Sequence, residues 1–347
     1  MNIFWIEGFE AHRSSVGLSQ VYDDPETSVD VDVQFFAGRR SGWCIDGLSS
    51  VLRIPTHTFP GALANLTLGF GIRVKSFPGI LVDISKPIFK LYEGATLRHT
   101  IEVQTNGAEF DIKYANQSGA GGTSSRHKSD VWFFVEVKLT FSVLGAVSIF
   151  FDKVSEIETT GDFSPQPDRM DLHLDGFFFD DLYLDSQDTP ERGSSVVEDL
   201  LPAEDTAETD WIEFPAGATD FSTIADELAA DDNVGSIQST SLNNRFFVKF
   251  SSPSFAKGAS SIAHLMMLLR GRATGAGGPS QVETIIKRLS LATESDAFVN
   301  FSEALRNFPV ASFTALQAIN RTLEPVSGNP WTSEILGDSE WGWEQLT

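Results

Sequence analysis

The strongest constraint on this chain is an alternation of period two between residues 66 and 75. Leu66, Leu68, Phe70, Ile72 and Val74 alternate with Thr67, Gly69, Gly71, Arg73 and Lys75. Successive side chains on a strand point to opposite faces, so this pattern buries one face of a sheet and does not suit a helix. Farther on, Ile101 and Val103 lead to Asn106-Gly107, the residue pair that a tight two-residue hairpin favours. Ala108, Phe110, Ile112 and Tyr114 then alternate with Glu109, Asp111 and Lys113, which completes a predicted hairpin.

A Gly/Ser-rich segment, 117–128, reads as a mobile loop. A second hairpin is predicted after it. Phe133, Val135, Val137, Leu139, Phe141 and Val143 share one face, and Glu136, Lys138, Thr140 and Ser142 share the other. The chain turns near Leu144-Gly145 and returns through Val147, Ile149 and Phe151. Met170, Leu172 and Leu174, followed by the run 177–185, close this half, and no helix is expected before residue 190. Many strands punctuated by turn residues predict a β-sandwich of jelly-roll type. The 28 phenylalanines, against four tyrosines and four methionines, supply a core filler suited to strands.

The composition changes after residue 185. Between 185 and 232 the only basic residue is Arg192, and acidic residues and prolines are frequent. An acidic linker is predicted over 189–209, between a jelly roll at 1–188 and a second β-rich (α+β) domain at 210–347. Phe221, Ile224, Ala225, Leu228 and Ala229 predict a short helix over 221–230. Candidate strands follow at 245–250, 262–269 and 282–291, with 271–280 as a turn. Trp331, Trp341 and Trp343 near the C-terminus would be costly in water, so this end reads as a docked tail or an interface, with the three indoles as candidate interface anchors.

The formal net charge of −23 argues against nucleic-acid binding, which needs a basic face to displace counterions, and against docking on anionic lipid. Cys44 is the single cysteine, so no intramolecular disulfide and no cysteine-based zinc site is expected, and folding in a reducing cytosol is. The opening MNIFWIEGFE lacks the basic region of a signal peptide. The apolar stretch 131–151 is interrupted by Glu136 and Lys138, so membrane insertion is not expected either.

Motifs for catalysis are sparse. The glycine clusters at 118–123 and 271–279 are not followed by the Lys-Ser/Thr of a phosphate-binding loop and read as turns. His173, Asp171 and Asp175 share a strand face, read as solvated. Asp180, Asp181 and Asp185 are candidate calcium ligands, with polar caps on a strand edge as the alternative. No other cofactor has candidate ligands. Cys44, between Trp43 and Ile45, reads as a small buried hydrophobe. Arg39, Arg40 and Trp43 are candidate ligand contacts, and the arginines could equally neutralise nearby carboxylates.

Six segments carry a resemblance: IEGFE (6–10), FFVEVKLTFSVLGAVSIFFDK (133–153), Thr160-Gly161-Asp162, DDLYLDS (180–186), 210–240 and NPWTSEI (329–335). In these the chain resembles a tailed-phage virion structural family that opens with a laminin-G/concanavalin-like jelly roll and continues into a second β-rich domain. The resemblance implies a component of a tail or head appendage, fibre or decoration, assembled in a host cytoplasm. Its partners would be other virion proteins and copies of itself, with a host surface glycan as a further contact. It carries no catalytic residues over, and a non-enzyme is expected. A lectin-like carbohydrate-binding module is the second reading, and a polysaccharide-degrading enzyme on a jelly roll the third.

Overall fold

The computed structural model describes residues 3–7, 39, 44–46, 51–54, 63–76, 84–187, 195, 197, 200, 202–214, 236–239, 241–250, 262, 265–271, 280–288, 299–308, 314–321 and 330–345. The chain divides into two units, Met1–Glu198 and Asp199–Thr347. Both are β structures built from antiparallel sheets, and no described helix is long and apolar enough to cross a membrane.

The first unit pairs two sheets, each of seven described strands. One sheet runs β1 (Ile3–Glu7), β14 (Phe177–Asp185), β4 (Asn65–Val74), β10 (Trp132–Thr140), β11 (Gly145–Phe151) and β12 (Val154–Gly161), with β2 (Ile45–Asp46) on β14. The other runs β3 (Val51–Ile54), β13 (Arg169–His173), β5 (Ile84–Glu93), β6 (Thr96–Thr105), β7 (Glu109–Asn116) and β8 (Gly121–Thr123), with β9 (His127–Lys128) on β7. Among the described strands the chain passes between sheets after β2, β3, β4, β9, β12 and β13, giving the sandwich a jelly-roll-like course.

The alternation at 66–75 is β4, and Leu66, Leu68, Phe70, Ile72 and Val74 all lie in the sandwich core. Rings from the two sheets meet there, with Phe70 and Phe89 edge to face at 4.9 Å. Both predicted hairpins form, β6–β7 about Asn106-Gly107 and β10–β11 about 141–144. At the second turn Val143 departs from its predicted inward face and is 67% exposed, beside Leu144 at 92%. Alternation ceases to specify a face once the chain leaves the ladder at Thr140. The segment 117–128 is more than a loop, because β8 and β9 within it pair with β7.

β14 is buried at all nine positions. Phe177 and Phe179 point into the core, as do Leu182 and Leu184, so the facing residues change from odd to even within the strand. The register moves from Asp180↔Gly71 to Tyr183↔Gly69, and Asp181 has φ +53, which together define a bulge. On the opposite face Tyr183 lies across Gly69 and donates its hydroxyl to Glu136 Oε1 at 2.7 Å. A Cβ on Gly69 would sit 2.0 Å from the Tyr183 ring, so only glycine admits this crossing.

In the second unit, one sheet orders β15 (Pro202–Thr209), β18 (Arg245–Phe250), β23 (Ser339–Gln345), β20 (Ser280–Arg288) and β21 (Val299–Phe308). Two-stranded pairs join β16 (Ile212–Phe214) to β17 (Ser236–Gln238), and β19 (Leu265–Gly271) to β22 (Thr314–Arg321). β15 corrects the end of the predicted linker: residues 202–209 pair with β18 at the edge of the sheet. Acidic side chains suit an edge strand, where they deter pairing with other chains, so composition alone imitates a linker. The helix predicted at 221–230 lies outside the described residues.

Gly69→Ala is expected to lower the stability of the first unit by about 1–3 kcal/mol, the usual cost of forcing atoms into a filled site. Urea unfolding of Gly69→Ala, Tyr183→Ala and the double variant checks this. If Tyr183 is the obstacle, the double variant is more stable than the sum of the single losses allows.

Candidate functional site

One surface cleft of about 190 Å³ opens on the first unit, lined by Arg98, His99, Asn116, Gln117, Ser118, Asp162 and Ser164. Three parts of the sequence build it. The start of β6 brings Arg98 and His99, the end of β7 and its turn bring 116–118, and the residues after β12 bring 162–164. Pairing of β6 with β7 places His99 opposite Asn116.

Hydrogen bonds fix this frame. Asn116 Nδ2 and Ser118 Oγ donate to the Asp162 carbonyl at 3.0 and 2.9 Å. The Asn116 side-chain oxygen accepts from Ala120 N at 2.8 Å and from Ser118 Oγ at 2.9 Å. Arg98 donates to Gln117 Oε1 at 2.5 Å and to Glu93 Oε2 from Nε at 3.1 Å. Ser164 donates its amide and its hydroxyl to Asp162 Oδ1 at 2.9 and 2.5 Å, and these bonds hold the fully exposed Asp162 carboxyl below its ordinary value.

His99 closes the inner end of the cleft and is 2% exposed. Its Nδ1 lies 2.8 Å from the Tyr114 hydroxyl, its ring stacks on Phe163, and its Nε2 is buried with no partner among the described residues. Burial, assisted by the Arg98 charge, lowers its pKa to about 4, so the ring is neutral near pH 7. Burial likewise raises the Tyr114 hydroxyl. The cleft therefore offers amides, hydroxyls, a guanidinium and one ionised carboxylate, the groups that bind a polyhydroxylated ligand, fixed by bonds to one another.

From the sequence the segment 117–128 reads as a loop, and none of Arg98, His99, Asn116, Asp162 or Ser164 is named as a site. They come from three separate segments between residues 98 and 164 and share no local motif.

The residues singled out from the sequence lie elsewhere. Asp180, Asp181 and Asp185 are buried, with 2%, 2% and 0% exposure, and they accept hydrogen bonds from their own chain. Arg39 donates its amide to Asp180 Oδ2 at 2.7 Å and its guanidinium to Asp181 Oδ2 at 3.0 and 2.8 Å. Val197 N donates to Asp181 Oδ1 at 2.7 Å, and Gln187 N to Asp185 Oδ1 at 3.0 Å. Donors and a cation in these positions occupy the oxygens a metal would need. Among the described residues no group of three or more His, Cys, Asp or Glu side chains could hold a metal ion.

Of the two readings open for Arg39, the structure has it neutralising a nearby carboxylate, as the counter-ion of Asp181, with its guanidinium 4.7 Å from the Phe134 ring centre. Arg40 and Trp43 lie outside the described residues. Cys44 is fully buried and its thiol is pushed up to about 11, first by burial. The face read as solvated at Asp171, His173 and Asp175 is partly covered. Asp171 is 5% exposed and paired with Arg53 at 2.8 Å.

Trp331, Trp341 and Trp343, read as a docked tail or as interface anchors, lie inside the second unit. They are 0%, 1% and 6% exposed and form the second unit's own core with Phe246, Val248 and Leu336. β23 lies between β18 and β20, which turns Trp343 onto Phe246 at 5.7 Å and Trp341 towards Trp331 at 5.6 Å. The indoles escape water within the unit and are not available as exposed anchors.

No protein-family model matches the chain, and no curated protein matches it. Among solved structures, the chain is 9% identical to the cellulose-induced protein Cip1, with 54% of this chain and 99% of that one covered and a TM-score of 0.37. The CBM2 module of the evolved Dit of Lactobacillus casei BL23 phage J-1 is 9% identical, covered over 55% of this chain and 98% of its own, at a TM-score of 0.31. A Trypanosoma rangeli sialidase is 12% identical at a TM-score of 0.34, with 47% of this chain covered and only 28% of the sialidase.

Trp341→Ala is expected to cost about 3–5 kcal/mol of the second unit's stability, as a large core deletion does. Chemical denaturation of the full chain checks this, and an unchanged transition would restore the surface-anchor reading. His99 and His173 both have pKa values lowered to about 4 in the folded chain from 6.5, His173 by burial first and then by the Lys90 charge. The unfolded chain then binds protons that the folded chain refuses, so stability is full above about pH 6.5 and falls as pH drops towards 4. Unfolding midpoints at pH 7, 5.5 and 4.5 should decline in that order, with a shallower decline in His99→Asn.

Proposed function

We propose that this chain is a non-catalytic binding protein of a virus particle, in which the first unit holds a saccharide in the cleft and the second unit serves assembly. The cleft carries the saccharide part of this reading. Its polar groups converge from three segments and are fixed in advance by mutual hydrogen bonds, which reduces the ordering cost of binding. Its volume of about 190 Å³ falls below the roughly 300–1,000 Å³ of pockets that enclose drug-sized ligands, and suits a single sugar ring.

Binding is favoured over hydrolysis by the chemistry of the lining. Glycosidases of the usual kind work with two carboxyl groups about the scissile bond, one of them with a raised pKa. The lining here has one carboxylate, Asp162, whose pKa is lowered by Ser164. The virion part of the reading rests on the sequence segments at 6–10, 133–162, 180–186, 210–240 and 329–335. The strongly negative charge of −23 suits a protein displayed in many copies, since it disfavours unspecific association.

A glycan array probed with the full chain, with and without a chelator, tests the saccharide reading. Binding to at least one glycan class is expected, unchanged by chelation. Asn116→Ala, which removes the side chain that ties β7 to Asp162 and Ala120, is expected to weaken it at least about tenfold, the loss of one or two positioned hydrogen bonds. No binding to any glycan, or equal binding by the variant, would remove the cleft from consideration. Mass spectrometry of purified particles tests the assembly half.

A further inference from the structure

The cleft has an apolar neighbour that its polar lining does not use. The β10–β11 turn carries Val143 and Leu144, exposed at 67% and 92%. This turn is fastened to the cleft wall: the amide of Phe163 donates to the Ser142 carbonyl at 2.9 Å, and β11 begins opposite the end of β12, Gly145↔Gly161. A Cβ on Gly145 would lie 2.8 Å from Phe163 Cβ and 2.2 Å from the Thr140 carbonyl, so the turn is held close against the segment that supplies Asp162 and Ser164. Leu144 follows Ser142 by two residues, about 7 Å of chain at most.

Asp162 lines the cleft and sits between Gly161 and Phe163, the two residues to which the turn is tied. Its Oδ1 is taken by Ser164, whereas its Oδ2 has no partner among the described residues and its side chain is exposed. The cleft thus joins three features on neighbouring segments: a hydrogen-bonding lining, an ionised acceptor and a turn with two exposed aliphatic side chains. A plain hexose matches the first of these. An ester-linked acetyl adds a methyl group for the third but brings no donor for the second, and a deoxy sugar's methyl also lacks one. An acetamido group has both, an N–H for the carboxylate and a methyl beyond it.

We infer that the cleft selects an N-acetylated sugar, with the ring in the polar cleft, the acetamido N–H on Asp162 Oδ2 and the acetyl methyl on Val143 and Leu144. This rests on the saccharide reading of the cleft and deepens it. Closing one small apolar group against a complete pocket discriminates by about tenfold or more, and an exposed tip by less, so a preference of about five- to tenfold is expected.

The probes are the β-1,4-linked tetramers of N-acetylglucosamine and of glucose, which differ in the group at C2. Both are titrated into the full chain by calorimetry. The N-acetylated tetramer is expected to bind about five- to tenfold tighter. The double variant Val143→Ser/Leu144→Asn, at exposed turn positions, should bind it no better than wild type binds the glucose tetramer. Asp162→Asn, which keeps the shape but replaces the ionised acceptor, should also reduce the preference. Equal affinity of wild type for the two tetramers, or an undiminished preference in the double variant, overturns the acetamido inference and leaves the saccharide reading standing. If neither tetramer binds wild type, the inference falls, and the glycan array then decides separately whether the cleft binds any saccharide.

Discussion

The first unit depends on a single extra residue in β14, an inner strand of its sheet. β14 must bury Phe177 and Phe179 at one end and Leu182 and Leu184 at the other, and these positions are out of phase for a regular strand. The bulge at Asp181 absorbs the difference. The left-handed backbone there is uncommon for a residue with a Cβ and persists when its surroundings over-determine it. Here Arg39 and Val197 supply that determination by binding both oxygens of the Asp181 carboxylate. The carboxylate thus acts as a fixing point for backbone, which explains its burial without any ligand.

The same bulge organises the outer face of the sheet. It aims Tyr183 across Gly69 to Glu136, on the strand beyond, and Asp180 towards the backbone of Arg39. Burying Glu136 at 1% exposure and Asp181 at 2% is tolerable because each is hydrogen-bonded, and removing a partner would leave a buried charge uncompensated. Polar burial on this scale specifies one arrangement of the strands more than it adds to stability.

Much of this architecture is legible in the sequence, and the parts that are not share a cause. β4 is readable because one face is buried and the residues alternate, and β6–β7 because Asn106-Gly107 marks its turn. β14 has no such signature: with both faces buried, nothing in FFFDDLYLD shows where the phase changes. That the tryptophans shun water is legible from their chemistry alone. Whether they find shelter within the chain or against another is a tertiary question that spacing does not answer, and β23 answers it by pairing between two strands. Val143 leaves its expected face because the alternating pattern runs on past the end of the ladder at Thr140. The cleft was illegible for the most general reason, since Arg98, Asn116 and Asp162 meet only when β6, β7 and β12 are assembled.

The pairing of β1 with β14 sets Ile3 opposite Asp185, so the backbone enters and leaves the sandwich at neighbouring points of one sheet. A unit closed in this way is a bulb on the polypeptide: the path before it and the path after it could be joined by a short bridge. Such modules tolerate circular permutation and can be grafted into a host loop without spreading its ends. The sandwich therefore has the geometry of a transferable part, one that could be gained or lost by a larger chain at little cost to the folds on either side.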